Sequence, residues 1–266
     1  MITTNPFSIL TETVPPIVLQ SFVIVMVALV IVGTLVDIIH KKNVKYFFEN
    51  AKKAKLSATK TLSAGEKISV ISKTIVSDIA TTSELGAGKR RVAHLLGMYG
   101  TILFWIGSAI MIFCYSSPSS DTPSFWPIIW HVGAIMTVVG GSWFWFFLRV
   151  DVYSEAHPWY RIIKADLFVL ALIASSLFGL IWSCLQSLNL NDRWDDKAFL
   201  VLYIISNLAL FGGVYWSKFA HMFYKPGASI QKNLAEADGS RDNLPPPANA
   251  PEQYGLGIDR EKAKHY

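Results

Sequence analysis

Two cysteines, Cys114 and Cys184, are all the thiol chemistry in this chain of 266 residues. They stand far apart, each inside an apolar segment, and no CxxC pair accompanies them. The chain therefore cannot ligate an iron–sulfur cluster by itself, and a disulfide framework is not expected. Nucleotide signatures are missing too: there is no GxGxxG and no Walker-type loop. Charge is scarce. Only 16% of the residues are Asp, Glu, Lys or Arg, against about a quarter in soluble domains. Apolar residues take their place, at 52%, with nine Trp among them and a mean hydropathy of +0.37. That balance belongs to a membrane protein. The net charge of +5 is modest, and no nucleic-acid partner is expected.

Segments free of Asp, Glu, Lys and Arg occupy residues 13–36, 92–120, 122–148, 167–191 and 198–217. Each reaches the roughly 20 residues that a helix needs to cross about 30 Å of hydrocarbon. Backbone in lipid must satisfy its own hydrogen bonds, so the segments predict an all-α, five-transmembrane-helix bundle. The first is too long for a signal peptide, and its basic residues follow it rather than precede it. The expected division is a first span within 1–39, a basic connection at 40–92, a four-helix membrane core at 93–219 and a tail at 220–266.

The connection from 40 to 93 holds twelve cations against four acids, Glu49, Glu66, Asp78 and Glu84. Arg149, Arg161 and Lys164 lie on the same side; the opposite loops hold no cation or only Arg193 and Lys197. The positive-inside rule then puts the N-terminus outside and the C-terminus in the cytoplasm. Trp126, Trp130, Trp182 and Trp194 fall near the outer interface, and Trp143, Trp145, Trp159 and Trp216 near the inner one, as an aromatic belt.

Two stretches lie outside the predicted spans. "KISVISKTIVSDIA" carries Ile68, Ile71, Ile75 and Ile79 on one helical stripe. It suits a membrane surface or a partner, or a plain helix covering the bundle. Residues 227–266 are polar, with "NLPPPANAPEQ" at their centre, and read as an extended or disordered arm.

Six histidines remain. On the predicted topology His94 opens the second span and His221 closes the fifth, both at the cytoplasmic end. Two facing imidazoles are what six-coordinate haem iron requires. Gly97 shares a helix face with His94, and a missing side chain lets a flat macrocycle approach; ordinary small-residue packing explains it equally well. Arg90, Arg91 and Lys218, with Lys89 and Lys225, could meet propionates, though the positive-inside rule accounts for them alone. The tandem glycines Gly140–Gly141 and Gly212–Gly213 suit close helix approach. His131 reads as interfacial, with a quinone contact as the alternative. His40 reads as part of a basic anchor, and His157 as a cytoplasmic loop residue.

"GKRRVAHLLGMYG" and "YWSKFAHMFYKP", with five spans, resemble the membrane cytochrome b subunits of the nitrate reductase gamma type. That group includes membrane subunits of heterodisulfide reductases and of quinone-interacting complexes of sulfur metabolism. The C-terminal stretch beginning "KFAHMFYKPGAS" is similar to membrane anchors that accompany dissimilatory adenylylsulfate reductase. The resemblance runs from about His40 onward. It implies a bacterial inner-membrane subunit and a soluble flavin and iron–sulfur partner, adenylylsulfate reductase, on the cytoplasmic face. It also implies quinone as electron partner and His94 and His221 as axial ligands of a b haem. Family members commonly hold a second haem deeper on the same helices, near Phe104 and Tyr203 here. Neither region has a histidine, so at most one haem is expected. The chain is non-catalytic alone. A haem-free docking platform is the alternative, and a transporter is disfavoured because the spans hold no acid or base.

Overall fold

The computed structural model describes residues 2–86, 88–149, 157–190 and 193–240, together with 253–254 and 258–259. Apart from a two-residue antiparallel ladder, Gln253–Tyr254 with Ile258–Asp259, the secondary structure described is helical. The helices are α1 (Pro6–Leu10), α2 (Pro16–Lys41), α3 (Asn43–Leu56), α4 (Ala64–Thr74), α5 (Lys89–Cys114), α6 (Phe125–Trp143), α7 (Leu167–Ser187), α8 (Trp194–Gly212) and α9 (His221–Ala237). A π-helical turn extends α4 over Ile75–Ala80, and another extends α6 over Phe144–Leu148.

Among the described residues four helical stretches are long and apolar enough to cross a membrane: Pro16–Lys41, Lys89–Cys114, Phe125–Leu148 and Lys164–Ser187. The fifth expected span differs. α8 begins four residues before the uncharged segment, taking Asp195, Asp196 and Lys197 into its first turn, and it stops at Gly212. Acids are favoured at a helix N-terminus, where the unpaired N–H groups carry partial positive charge, so the helix extends outward through them. Gly213 ends it, its N–H bonding back to the carbonyl of Ala209.

The chain forms two compact units, Met1–Val36 with Val92–Ala220, and Asp37–Arg91 with His221–Tyr266. In the first, α6 packs on α7 and α7 on α8, while α1 lies against α7. α1 is set by Asn5, whose side-chain oxygen accepts from the N–H groups of Phe7 and Ser8, with Pro6 at the first helical position. α5 meets α6 through glycine. A Cβ on Gly140 would stand 2.6 Å from the Gly97 nitrogen, and one on Gly133 2.6 Å from the Phe104 nitrogen. Lipid tails are as apolar as leucine, so helices in a bilayer associate through such close packing and through hydrogen bonds.

In the second unit α9 packs against α3 and α4. A capping box starts α4: the Ser63 hydroxyl accepts from the Glu66 N–H, and the Glu66 carboxylate accepts from the Ser63 N–H. The carboxyl of Glu66 is held down at about 2, first by the Lys60 hydrogen bond and then by those from Ser63. The expected isoleucine stripe exists and is only partly covered, with Ile71 and Ile79 half-buried. Thr74 is 1% exposed, whereas Ile68 is 64% and Ile75 47% exposed. The reason is polar: Asn233 of α9 donates to the Thr74 hydroxyl at 2.8 Å and to Asp78 at 2.7 Å, drawing that side of the helix inward.

The tail also differs from an extended arm. α9 begins at His221, so this residue opens a new helix instead of closing the fifth span. The helix continues through Pro226 and Gly227 to Ala237. Its partners stabilise it, including the Ser229 hydroxyl on Glu84 at 2.9 Å and the Asp238 carbonyl, which accepts from Thr59 and Lys60. The "NLPPPANAPEQ" segment falls almost wholly outside the described residues.

Candidate functional site

The interior of the first unit is aromatic. Phe104 lies 5.1 Å from Trp130 and 6.4 Å from Tyr203 between ring centroids, and Tyr203 stacks on Trp182 at 5.9 Å and 16°. Trp130 and Trp182 are fully buried, so neither belongs to the expected outer belt. The indole N–H of Trp130 donates to the Ser108 hydroxyl at 2.8 Å, which removes the cost of burying it. Trp145, placed by sequence at the inner interface, is buried as well. Trp194 and Trp216 are exposed, as belt residues would be.

This packing includes the region weighed for a second, deeper macrocycle. A Cβ on Gly179 would be 3.2 Å from the Tyr203 ring and 3.6 Å from the Phe104 ring. Phe104 and Tyr203, the positions that the sequence reading weighed for deeper ligands, are side chains of one aromatic cluster.

His131 is not interfacial. It is 1% exposed, and both ring nitrogens are bonded. Nδ1 lies 2.7 Å from the Pro127 carbonyl and Nε2 2.9 Å from the Ser183 hydroxyl. A carbonyl only accepts, so Nδ1 carries the proton and donates, and a neutral ring then accepts from Ser183 at Nε2. No nitrogen is left for a metal or a quinone. Some other buried polar groups in this unit are paired in the same manner, with Ser175 donating to Asn207 at 3.1 Å and Arg149 to Asp166 at 2.7 Å, whereas the Ser176 hydroxyl and the Trp105 indole N–H have no hydrogen-bond partner among the described residues. Arg149 also lies 3.9 Å from the Trp145 ring and donates to the carbonyls of Trp159 and Arg161, tying down the stretch that precedes α7. Sequence reasoning treated Arg149 only as an orienting surface cation.

His94 is half-buried in the second turn of α5. A Cβ on Gly97, one turn on, would meet nothing within 4 Å, in contrast to Gly100, Gly133 and Gly140. Of these glycines Gly97 alone leaves open space beside its helix, on the face that carries His94. Arg90 and Arg91 precede His94 by about one turn, and Arg91 is already engaged, its Nε donating to the Thr81 carbonyl at 2.7 Å. His221 is exposed at the first residue of α9, and Lys218 is exposed ahead of it. His94, Gly97 and Lys218 belong to the first unit; Arg90, Arg91 and His221 belong to the second. Lys225, the other flanking cation, forms an ion pair with Glu84 at 3.5 Å.

Asp37 escaped the sequence reading, because it stands one residue beyond the uncharged segment. It is 1% exposed, pairs with Lys41 one turn later and accepts from the Tyr224 hydroxyl at 3.1 Å. Burial, then that bond, pushes the Tyr224 hydroxyl above its ordinary value of 10.0. The Asp37–Lys41 spacing was the available signal. Among the described residues no group of three or more His, Cys, Asp or Glu side chains could hold a metal ion. No family model matches the chain, and neither the curated proteins nor the solved structures yield a match.

Proposed function

We propose that this protein is the membrane anchor of a cytoplasmic flavin and iron–sulfur reductase and links it to the membrane quinone pool. The resemblance in "GKRRVAHLLGMYG" and "KFAH" names the reductase as adenylylsulfate reductase and the membrane as a bacterial inner membrane. One observation carries the reading: an apolar helical unit is joined to a separate cation-rich unit. Residues 37–91 and 221–240 hold fourteen Lys and Arg against seven Asp and Glu. Such a surface suits an acidic soluble partner and speeds its encounter. In this reading α8 is the fifth span, the N-terminus lies outside and the C-terminus in the cytoplasm.

His94 and His221 would hold one b haem, with open space at Gly97 supporting its approach and Arg90 and Lys218 near enough in sequence to meet propionates. That haem would supply one-electron transfer between the partner's clusters and quinone. The protein's own work would be to hold the two imidazoles and present a docking surface. The lack of histidine near Phe104 and Tyr203 supports a limit of one haem. The haem-free platform is favoured by a different fact, that His221 is exposed at the start of its helix.

A reduced-minus-oxidised visible spectrum of the purified full chain separates the two. The first reading expects a b-type α band that His94→Ala and His221→Ala each abolish. A band that survives either change overturns the pairing, and a missing band leaves the platform. Docking is tested by reversing exposed cations of the second unit, Lys53→Glu, Lys67→Glu and Lys73→Glu together, with the soluble reductase expected to leave the membrane. A cut at Gly227 would instead remove most of α9 and dismantle the second unit.

A further inference from the structure

We infer that α3 lies in the headgroup layer of the membrane and binds anionic phospholipid through one stripe of its surface. α3 starts directly after α2, which has the highest hydropathy of the span-length helices. Only Lys42 intervenes, at φ 54, and this left-handed residue turns the chain off the α2 axis. A helix that begins one residue after a span begins at the lipid–water boundary.

Two stripes run along α3, one residue out of step. Val44, Phe47, Ala51 and Ala54 are half-buried, with Phe47 reaching toward Gly227 of α9. Lys45, Phe48, Lys52 and Lys55 repeat the same spacing beside them and are exposed, with Leu56 at the end. Phe48 is 65% and Leu56 84% exposed, and Glu49 is the helix's one acid against four lysines. In water this stripe would leave two large apolar side chains wet and set the like charges of Lys52 and Lys55 one turn apart, while Lys45 pairs with Glu49 at 3.7 Å. A bilayer with anionic headgroups removes both costs. Phe48 and Leu56 enter the acyl boundary, the lysine stems lie along it, and the ammonium groups reach lipid phosphates. An acidic protein would answer the charges, but the position of α3 at the end of a span favours lipid.

The test uses the full chain carrying Cys114→Ser and Cys184→Ser, with a nitroxide on Phe48→Cys and, as control, on Asn50→Cys, which is exposed on the opposite side of α3. Samples are detergent micelles, phosphatidylcholine vesicles, and vesicles containing phosphatidylglycerol. The label at 48 is expected to be shielded from a water-soluble relaxant and open to oxygen in vesicles, increasingly so with phosphatidylglycerol. The label at 50 should stay accessible to water. Lys45→Glu, Lys52→Glu and Lys55→Glu together should abolish the dependence on phosphatidylglycerol. Equal water access at 48 in every sample overturns the proposal. Shielding in micelles, or shielding that needs an added soluble protein, makes the stripe a protein interface and overturns it as well.

Discussion

The two units spend their side chains in opposite ways. In the membrane-type unit, tryptophan, histidine and arginine are buried and their polar atoms are largely bonded within the unit, as with Trp130 to Ser108, His131 to Ser183 and Arg149 to Asp166. In the basic unit the polar groups Thr74, Asp78 and Asn233 form the inside, and Ile68, Ile75 and Val76 remain outside. An apolar solvent punishes an unpaired polar atom, whereas water and headgroups tolerate one and cannot by themselves settle which face a helix buries. The contrast says which side chains are indispensable in each unit.

Helix contact in the apolar unit offers the largest effect. Gly133→Leu or Gly140→Leu drives a side chain into the backbone of α5, where a Cβ alone would sit 2.6 Å from a nitrogen. Loss of folded protein is expected in fluorescence-detected gel filtration, a cost of roughly 3 kcal/mol or more. Gly65→Ala in α4 of the basic unit meets nothing within 4 Å and should leave the elution profile unchanged. An intact Gly140→Leu protein would break the comparison at its root.

Next comes the buried ion pair. Arg149→Met strands Asp166 and should cost about 3–5 kcal/mol in a thermal or denaturant melt. Lys60→Met in the basic unit removes an exposed pair with Glu66, and the same melt should not move. Equal effects would mean that the two units are not distinguished by solvent.

A smaller loss is expected from Asn233→Ala, about 1 kcal/mol, because Asp78 keeps its bonds from Ser77 and Ser83. Acid should act on the same unit. The Asp78 carboxyl is held below its ordinary 3.8 by Ser83, Asn233 and Ser77, and Glu66 is lowered from 4.5 to about 2. A depressed carboxyl contributes stability that is complete above its unfolded value and is lost as pH falls through the folded one. The basic unit should therefore loosen as pH falls below 3.8, through the Asp78 carboxyl, while the exposed Glu66 adds little. Methyl spectra with Ile71 and Ile79 as reporters would follow it; no change in that window would show that these bonds do not hold the unit. Smallest of all, Gly97→Ala should shift the melt by less than about 0.5 kcal/mol. A larger change would mean that the face beside His94 is closed.

Much of the apolar unit was legible in the sequence. Long uncharged runs leave a helix no alternative in lipid, and four of the five expected spans appear at span length. The close approach expected at tandem glycines is found at Gly140, but not at Gly212, where a Cβ would meet nothing within 4 Å and the pair ends α8. Which tryptophans were belt and which were core was not. Trp130 and Trp194 look alike in sequence, and only the neighbours Phe104 and Ser108 distinguish the first. His131 was misread for the same reason, because its partner Ser183 is supplied by another helix.

The basic unit shows the limit from the other side. Composition identified the connection as basic and its isoleucines as helical, and periodicity placed them on one stripe. Neither could say that Thr74 would be the most buried residue of the helix, since Asn233, which pulls Thr74 and Asp78 inward, lies far along the chain. The tail looked extended because Pro226, Gly227 and few apolar residues argue locally against a helix. α9 forms nonetheless, held by Glu84, Thr59 and Lys60. By itself the sequence determined that this is a helical protein of long apolar segments with its cations gathered between and after them, because solvent sorts residues by type wherever they stand. Tertiary structure alone decided which polar atoms find partners, and so which faces are inside, because a hydrogen bond depends on the residue opposite, and that residue comes from elsewhere in the chain.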